Sequence, residues 1–297
     1  LFNEVKRFDS SEQNVWKYVF TTEEVVTEAV LYKYESFKNR TVICCSVQSG
    51  CPVGCKFCGT GKKFIRNLKP DEIIYQVTHM IEDMKIANDV LSSDKFQIMF
   101  MSMGEPMLNW DNVESAIKLL NVLYPNAQLL ISTVGINNDK TFSKMIELSK
   151  QIDKVGLQFS IHKAFEEERN TLIPFKNKMP LRKIRDAGIT WSKETGRKVY
   201  LNYCVDGTNV TDDHLNRLKD LFSPMFFNLT FSVVCSADET MKDAGYRNHN
   251  VIKEFMNKFL EDGYNVRMFD PAGQDDIGGG CGMLWYVQEW LKNKKNV

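Results

Sequence analysis

The chain has 297 residues, 43% hydrophobic and 26% charged, a mix that suits a soluble globular protein of one large domain or two ordinary ones. No apolar run is long enough to cross a bilayer, and the opening LFNEVKRFDSSEQ lacks the apolar core of a secretion signal, so a cytoplasmic protein without a membrane partner is expected. Thirty-eight basic residues balance 38 acidic ones, which excludes attachment to nucleic acid through bulk positive charge.

The basic runs KNKMPLRKIR (176–185) and KNKK near the end read as a solvated face and a tail. Eight cysteines without a secretion signal argue against a disulfide framework. Five of the eight lie between 44 and 58, which points to metal binding or thiol chemistry.

In chain order, VWKYVF and VVTEAVLYKY flank TTEE and predict a small β-hairpin. From residue 41 the rhythm changes. Predicted strands at 41–47, 96–102, 128–133, 155–161, 198–204, 227–234 and 265–270 alternate with segments of helical period at 71–84, 112–123, 139–150, 212–222 and 249–263. Strand–helix alternation repeated about six times predicts a parallel sheet closed or partly closed into a barrel. Chemistry in such folds sits at the C-terminal ends of the strands. The expected organisation is a hairpin extension over 1–38 and a barrel domain over 39–297.

Directly after the first barrel strand stands Cys51-Pro-Val-Gly-Cys55-Lys-Phe-Cys58, a CxxxCxxC. Three thiolates from one short loop can ligate three irons of a [4Fe–4S] cube and leave the fourth iron open to a chelating ligand. Structural zinc instead wants four closed ligands in paired units, and no second pair lies nearby. This motif after the first strand of a (βα) barrel resembles the radical S-adenosylmethionine (SAM) superfamily. The resemblance implies a partial (βα)6 TIM-like barrel, an α/β fold, in which the SAM amine and carboxylate chelate the open iron and reductive cleavage yields a 5′-deoxyadenosyl radical. It also implies that MGEP brings Gly104 and Glu105 to SAM, with Glu105 accepting from its ammonium, that STVGI brings Ser132, and that SIH brings Ser160, Ile161 and His162.

The chain resembles the RlmN/Cfr-type methyltransferases more narrowly. ICCSVQSGCPVGCKFCGTG, RNL (66–68), MGEPMLN, STVGI, SIH, ERNTLIP, VDGTNVTDDH and DDIGGGCGML (275–284) carry that likeness from about residue 13 to about 287. It implies methylation of an sp² carbon, C2 or C8, of adenine in RNA. Cys281 would take a methyl group from one SAM, lose hydrogen to the radical made from a second, and deliver the carbon to the base. Cys44 would then resolve the thioether adduct as a Cys44–Cys281 disulfide, with Glu28 as general base. Implied partners are ribosomal or transfer RNA and an electron donor such as flavodoxin or ferredoxin. Gly278, Gly279 and Gly280 form a hinge that lets Cys281 travel.

By the period-2 rule one of Cys44 and Cys45 points inward and the other outward, and Cys44 is expected to face the site. On a hairpin strand Glu28 would ordinarily be a solvent-facing charge. Cys204 and Cys235 read as packing residues. The chain departs from the family pattern in having about a dozen residues where a helical RNA-binding domain precedes the hairpin, Val233 where an Asn is used for SAM, Ser102 for a glycine, and a shorter loop after Cys58. Ser232 or Ser236 could replace the missing Asn. Two other readings follow: a radical SAM enzyme acting on a nucleotide, another small molecule or a peptide, and a non-catalytic Fe–S protein.

Overall fold

A computed structural model describes residues 1–234, 248–270 and 277–278. The strands are β1 (Glu4–Asp9), β2 (Val15–Thr21), β3 (Val26–Tyr34), β4 (Arg40–Cys45), β5 (Gln48–Gly50), β6 (Phe64–Asn67), β7 (Phe96–Phe100), β8 (Gln128–Thr133), β9 (Val155–Ser160), β10 (Val199–Val205), β11 (Phe227–Val233) and β12 (Val266–Phe269). The helices are α1 (Pro70–Asp83), α2 (Ala87–Leu91), α3 (Trp110–Leu123), α4 (Asp139–Gln151), α5 (Glu166–Leu172), α6 (Leu181–Thr195), α7 (Asp212–Leu221) and α8 (His249–Leu260).

One sheet runs in the order β1-β2-β3-β4-β7-β8-β9-β10-β11-β12, and β5 and β6 pair separately. Neighbours from β4 to β12 in this order are parallel, while β1, β2, β3 and β4 pair antiparallel. Residues from β3 and all seven parallel strands line a single cavity, so the sheet curls around it as a partial barrel. The expected barrel and hairpin are present. The hairpin gains a third strand, β1, and joins the barrel sheet edge to edge through β3 and β4.

The helices follow from apolar periodicity and end signals. Helix α1 turns Ile73, Val77, Met80 and Ile81 inward, begins at Pro70, and uses the Glu72 carboxylate to accept from the Lys69 N–H at 2.8 Å. Asn138, Thr211 and Asn248 cap α4, α7 and α8 by accepting N–H groups three residues on.

The main core packs helices on the outer face of the sheet. A smaller cluster, with Val19, Val26, Val30, Val42 and Met103, packs on the opposite face of the N-terminal strands. Both faces of β2 and β3 are therefore covered. The alternation there does not mark a half-solvated hairpin, and Lys17, Thr27 and Glu28 are buried with their apolar neighbours.

Candidate active site

The cysteine loop lies beyond the C-terminal end of β4, between β5 and β6, whose backbones pair across it. Gly50 carries the turn at φ 74, where a Cβ would meet the Lys63 carbonyl oxygen at 1.9 Å. Cys51 N–H donates to Lys63 O at 3.0 Å, and Cys58 N–H to Cys55 O at 3.1 Å. The three thiols are partly buried. Burial pushes Cys51 up to about 12 and Cys55 well above the ordinary thiol range. Cys51 also feels the negative charge of Cys58 and Glu105, and Cys55 that of Cys58, Cys51 and Glu105.

The three cysteines come from one eight-residue loop, 51–58, and as thiolates they would call for a cationic group between them. Among the described residues no three His, Cys, Asp or Glu side chains close around a single metal ion. A cube places each thiolate on a different iron and so accepts a wider triangle than one ion does. The donor set fits a [4Fe–4S] cluster better than mononuclear zinc.

The MGEP turn leaves β7 against this loop. Gly104 has φ 97, and a Cβ there would stand 2.6 Å from Gln48 Cβ and 2.9 Å from Gln48 N. Its backbone also hydrogen-bonds the Cys51 thiol, which ties the turn to the cysteine loop. Glu105 is buried, and its carboxylate accepts from Thr133 Oγ1 at 2.5 Å, Val134 N–H at 2.9 Å and Met107 N–H at 3.0 Å. Burial raises its carboxyl to about 6 against those three donors. Here Glu105 bolts the end of β7 to the end of β8.

Ser132 and Ser160 sit at neighbouring strand ends with their hydroxyl oxygens 3.5 Å apart, and Gln158 donates to Ser132 at 3.1 Å. Ile161 N–H donates to Asn202 O at 3.0 Å. His162 is buried at φ 59, packs edge-on against Phe57 at 5.0 Å, and accepts from Cys204 N–H through Nδ1 at 3.3 Å. Burial, with Arg169 and Lys163 adding, pulls its imidazole down to about 3.

The barrel encloses a cavity of about 390 Å³. Cys44 and Ser132 line it, whereas Cys51, Cys55, Cys58, Gly104, Glu105, Ser160, Ile161, His162 and Glu28 do not. Cys44 faces inward and Cys45 is fully buried in the main core, as the alternation predicts. Glu28 is not solvent-facing: it is fully buried, with its carboxylate 3.5 Å from the equally buried Lys17 ammonium. Both hydroxyls of Ser46 and Ser102 donate to its backbone carbonyl. Its strand face is that of Val26 and Val30, whose cluster also packs Cys44 and Ile277.

No two of the six described cysteines are joined by a disulfide. Cys281, Ser236 and Cys235 lie outside the described residues, and so does one half of the expected Cys44–Cys281 pair.

Sequence reasoning missed three residues. Asn202 lines the cavity and accepts from Ser232 Oγ through Oδ1 at 2.5 Å, on the strands beside the position where Val233 stands. The fully buried Arg169 donates to Val134 O at 2.7 Å and Met179 O at 2.8 Å, and its positive charge bears on Cys55. Its place in ERNTLIP was the only signal available. Thr133, inside STVGI, holds Glu105.

A model of the radical SAM superfamily matches residues 45–222. A probable dual-specificity RNA methyltransferase RlmN from Finegoldia magna is 30% identical over 286 residues, 94% of this chain and 77% of that protein. Another of the same name from Clostridium novyi is 30% identical over 95% of this chain and 79% of its own length. The crystal structure of a radical SAM methyltransferase from Sphaerobacter thermophilus superposes with a TM-score of 0.80 at 25% identity, covering 94% of this chain and 79% of that one. With the cysteine loop, the MGEP turn and the barrel in place, the chain belongs to the radical SAM superfamily and, within it, to the RlmN/Cfr-type methyltransferases, whose cofactors are a [4Fe–4S] cluster and SAM.

Proposed function

We propose that this protein methylates an sp² carbon, C2 or C8, of adenine in RNA, with Cys281 as methyl carrier and Cys44 as resolving thiol. The observation that carries this reading is the shared packing of Cys44 and Ile277 against one inner cluster. Cys281 follows Ile277 by four residues in the sequence. Cys44 also lines the cavity, where a substrate base can reach it. RNA is the substrate class named for the relatives from Finegoldia magna and Clostridium novyi.

Cys51, Cys55 and Cys58 would hold the cluster, and Gly104, Glu105, Ser132, Ser160, Ile161 and His162 would surround SAM. When bound, these cofactors supply the methyl group and the 5′-deoxyadenosyl radical. The carbon to be methylated is not a nucleophile, so a direct displacement on SAM fails and a thiol carrier is needed. The Cys281 thiolate takes the methyl group and releases S-adenosylhomocysteine. Its S–CH3 then loses one hydrogen atom, which appears in 5′-deoxyadenosine, and the resulting carbon radical bonds to the adenine carbon. One electron leaves the adduct for the oxidised form of the electron carrier, and the ring carbon gives its proton to a base, for which Glu28 is the candidate. The Cys44 thiolate attacks the Cys281 sulfur, the C–S bond breaks, and the released carbon gains a proton to become the methyl group. A reductant of the flavodoxin or ferredoxin class supplies the electron for SAM cleavage and the two that reopen the Cys44–Cys281 disulfide.

The test is anaerobic reconstitution with iron and sulfide, followed by incubation with SAM, dithionite and total cellular RNA and by nucleoside mass spectrometry. The expected result is 5′-deoxyadenosine, S-adenosylhomocysteine and a gain of methyladenosine, with the methyl gain lost in Cys281→Ala. Deoxyadenosine with unchanged RNA moves the substrate to a small molecule or peptide. Undiminished methylation by Cys281→Ala removes the carrier role.

A further inference from the structure

The cavity has a second end. At the N-terminal edges of the strands it is lined by Arg40, the first residue of β4, by Lys95, just before β7, and by Arg267 of β12. The Arg40 guanidinium stacks over the Tyr34 ring at 4.4 Å and donates to Gln97 Oε1 through Nε at 3.2 Å and Nη2 at 3.0 Å. Arg267 stacks over Tyr200 at 4.8 Å and donates through Nε to Thr230 Oγ1 at 2.8 Å. Their ring contacts and single anchors fix both planar groups while leaving Arg40 Nη1 and both Arg267 Nη atoms without a hydrogen bond among the described residues. Lys95 Nζ likewise has none.

None of the three cations pairs with a carboxylate among the described residues, although elsewhere on the chain lysines such as Lys144, Lys163 and Lys258 do. Burial and then the two guanidiniums pull the Lys95 ammonium below its ordinary range, and burial and Arg40 do the same to Arg267. The carboxylate that lines this cavity, Asp270, follows the far end of β12 and is held by His249 at 2.6 Å. Three like charges line this end of the cavity on a chain whose total charge is zero, and an anion between them would relieve their repulsion.

The length of the cavity narrows the choice of anion. Arg40 and Cys44 are four residues apart on one strand face, a separation of about 13 Å. The Arg40 side chain leans along the cavity to Gln97, which pairs with Val42, so the gap left between guanidinium and thiol is shorter than the strand spacing and suits a nucleotide lying from phosphate to base. We propose that Arg40, Lys95 and Arg267 form a phosphate subsite at the N-terminal mouth of the barrel, holding the phosphate of the nucleotide whose base reaches Cys44. The planar guanidiniums suit bidentate contact with phosphate oxygens, and Lys95 adds a point charge. The inference rests on the nucleotide-substrate reading above and adds the direction of entry: the base comes through the N-terminal mouth, opposite the cysteine loop.

The reconstituted full chain is tested by equilibrium binding of adenosine 5′-monophosphate and of adenosine, and by binding of a mixed-sequence single-stranded RNA across a salt series. The monophosphate should bind about tenfold or more tighter than adenosine, the difference expected of charge-assisted hydrogen bonds. Arg40→Gln and Arg267→Gln should erase that preference, the exposed Lys95→Gln should reduce it without risk to the fold, and Arg40→Lys should restore part of it. Each removed phosphate contact should also flatten the salt dependence of RNA binding by about 0.7 in log–log slope. Equal affinity for the two probes, or a preference unchanged in all three neutral variants, overturns the subsite. The two readings fail separately. RNA methylation without the phosphate preference keeps the function and removes the subsite. A phosphate preference lost on substitution, with no RNA methylated, keeps the subsite and removes the RNA methylation.

Discussion

At the C-terminal ends of the barrel strands the site is walled by backbone: tight glycine turns, N–H groups aimed at thiols, and a buried carboxylate that ties β7 to β8. At the N-terminal ends the barrel cavity is walled by long side chains anchored on rings, an amide and a hydroxyl, with charge left over. The first arrangement is rigid and belongs to contiguous motifs. The second uses one residue from each of several strands, far apart in sequence. A barrel offers both because the strand ends are free to vary while the strand middles are packed. The loops fix geometry through backbone, and the N-terminal ends fix charge through anchored side chains.

The largest expected effect strikes the rigid end. Cys55→Ala should reduce cluster iron and SAM cleavage to background, measured by iron content and 5′-deoxyadenosine yield. A variant that still cleaves SAM would remove Cys55 from the ligand set and leave the contrast between the two ends without its chemical basis. Cys44→Ala should act later. The methylene adduct would form but find no thiol to resolve it, so protein covalently joined to RNA should accumulate, visible as a shifted band on a denaturing gel. Free methylated RNA at the normal rate would show that Cys44 only lines the cavity.

This contrast also explains what could be read in advance. β8 was predicted at its observed limits, and the other barrel strands and five helices within a few residues, because each buries an apolar face of regular period. The cysteine loop and MGEP turn were legible because their residues are neighbours in sequence. Helix α6 was missed: Arg182, Lys183 and Arg185 made its start look like a solvated run, while Leu181, Ile184 and Trp191 bury the other face. The burial of Glu28 was not legible because alternation reveals one face of a strand and cannot show that a second layer covers the other. Arg40, Lys95 and Arg267 were illegible as a set, since only the curled sheet brings positions 40, 95 and 267 to one cavity.

Glu28 offers a sharper test of the packed wall between the two ends. Glu28→Gln keeps the volume but leaves the buried Lys17 ammonium without its partner, which should cost about 3 kcal/mol of stability. The double variant Glu28→Gln with Lys17→Met should recover most of it, measured by denaturant unfolding. Recovery of stability without recovery of methylation would support a base role for Glu28. Recovery of both would make it a structural partner of Lys17 alone. Gly104→Ala should follow closely, at about 2 kcal/mol, because the new methyl would meet the Gln48 backbone nitrogen at 2.9 Å as well as its side chain. A fully stable Gly104→Ala would mean that the turn gives way, contrary to the rigidity assigned to this end.

The smallest effect concerns His162. Its folded-state imidazole sits at about 3 against an ordinary 6.5, so the unfolded chain binds the proton more readily. Stability from the neutral, buried ring is therefore fully present above pH 6.5 and is lost as pH falls toward 3. Between pH 6.5 and 5 the loss should be about 2 kcal/mol, from roughly 1.4 kcal/mol per pH unit. His162→Asn, a residue that tolerates the left-handed backbone found there, should unfold with a correspondingly flatter acid dependence. If both proteins lose stability in parallel over this range, the ring is not held neutral by burial.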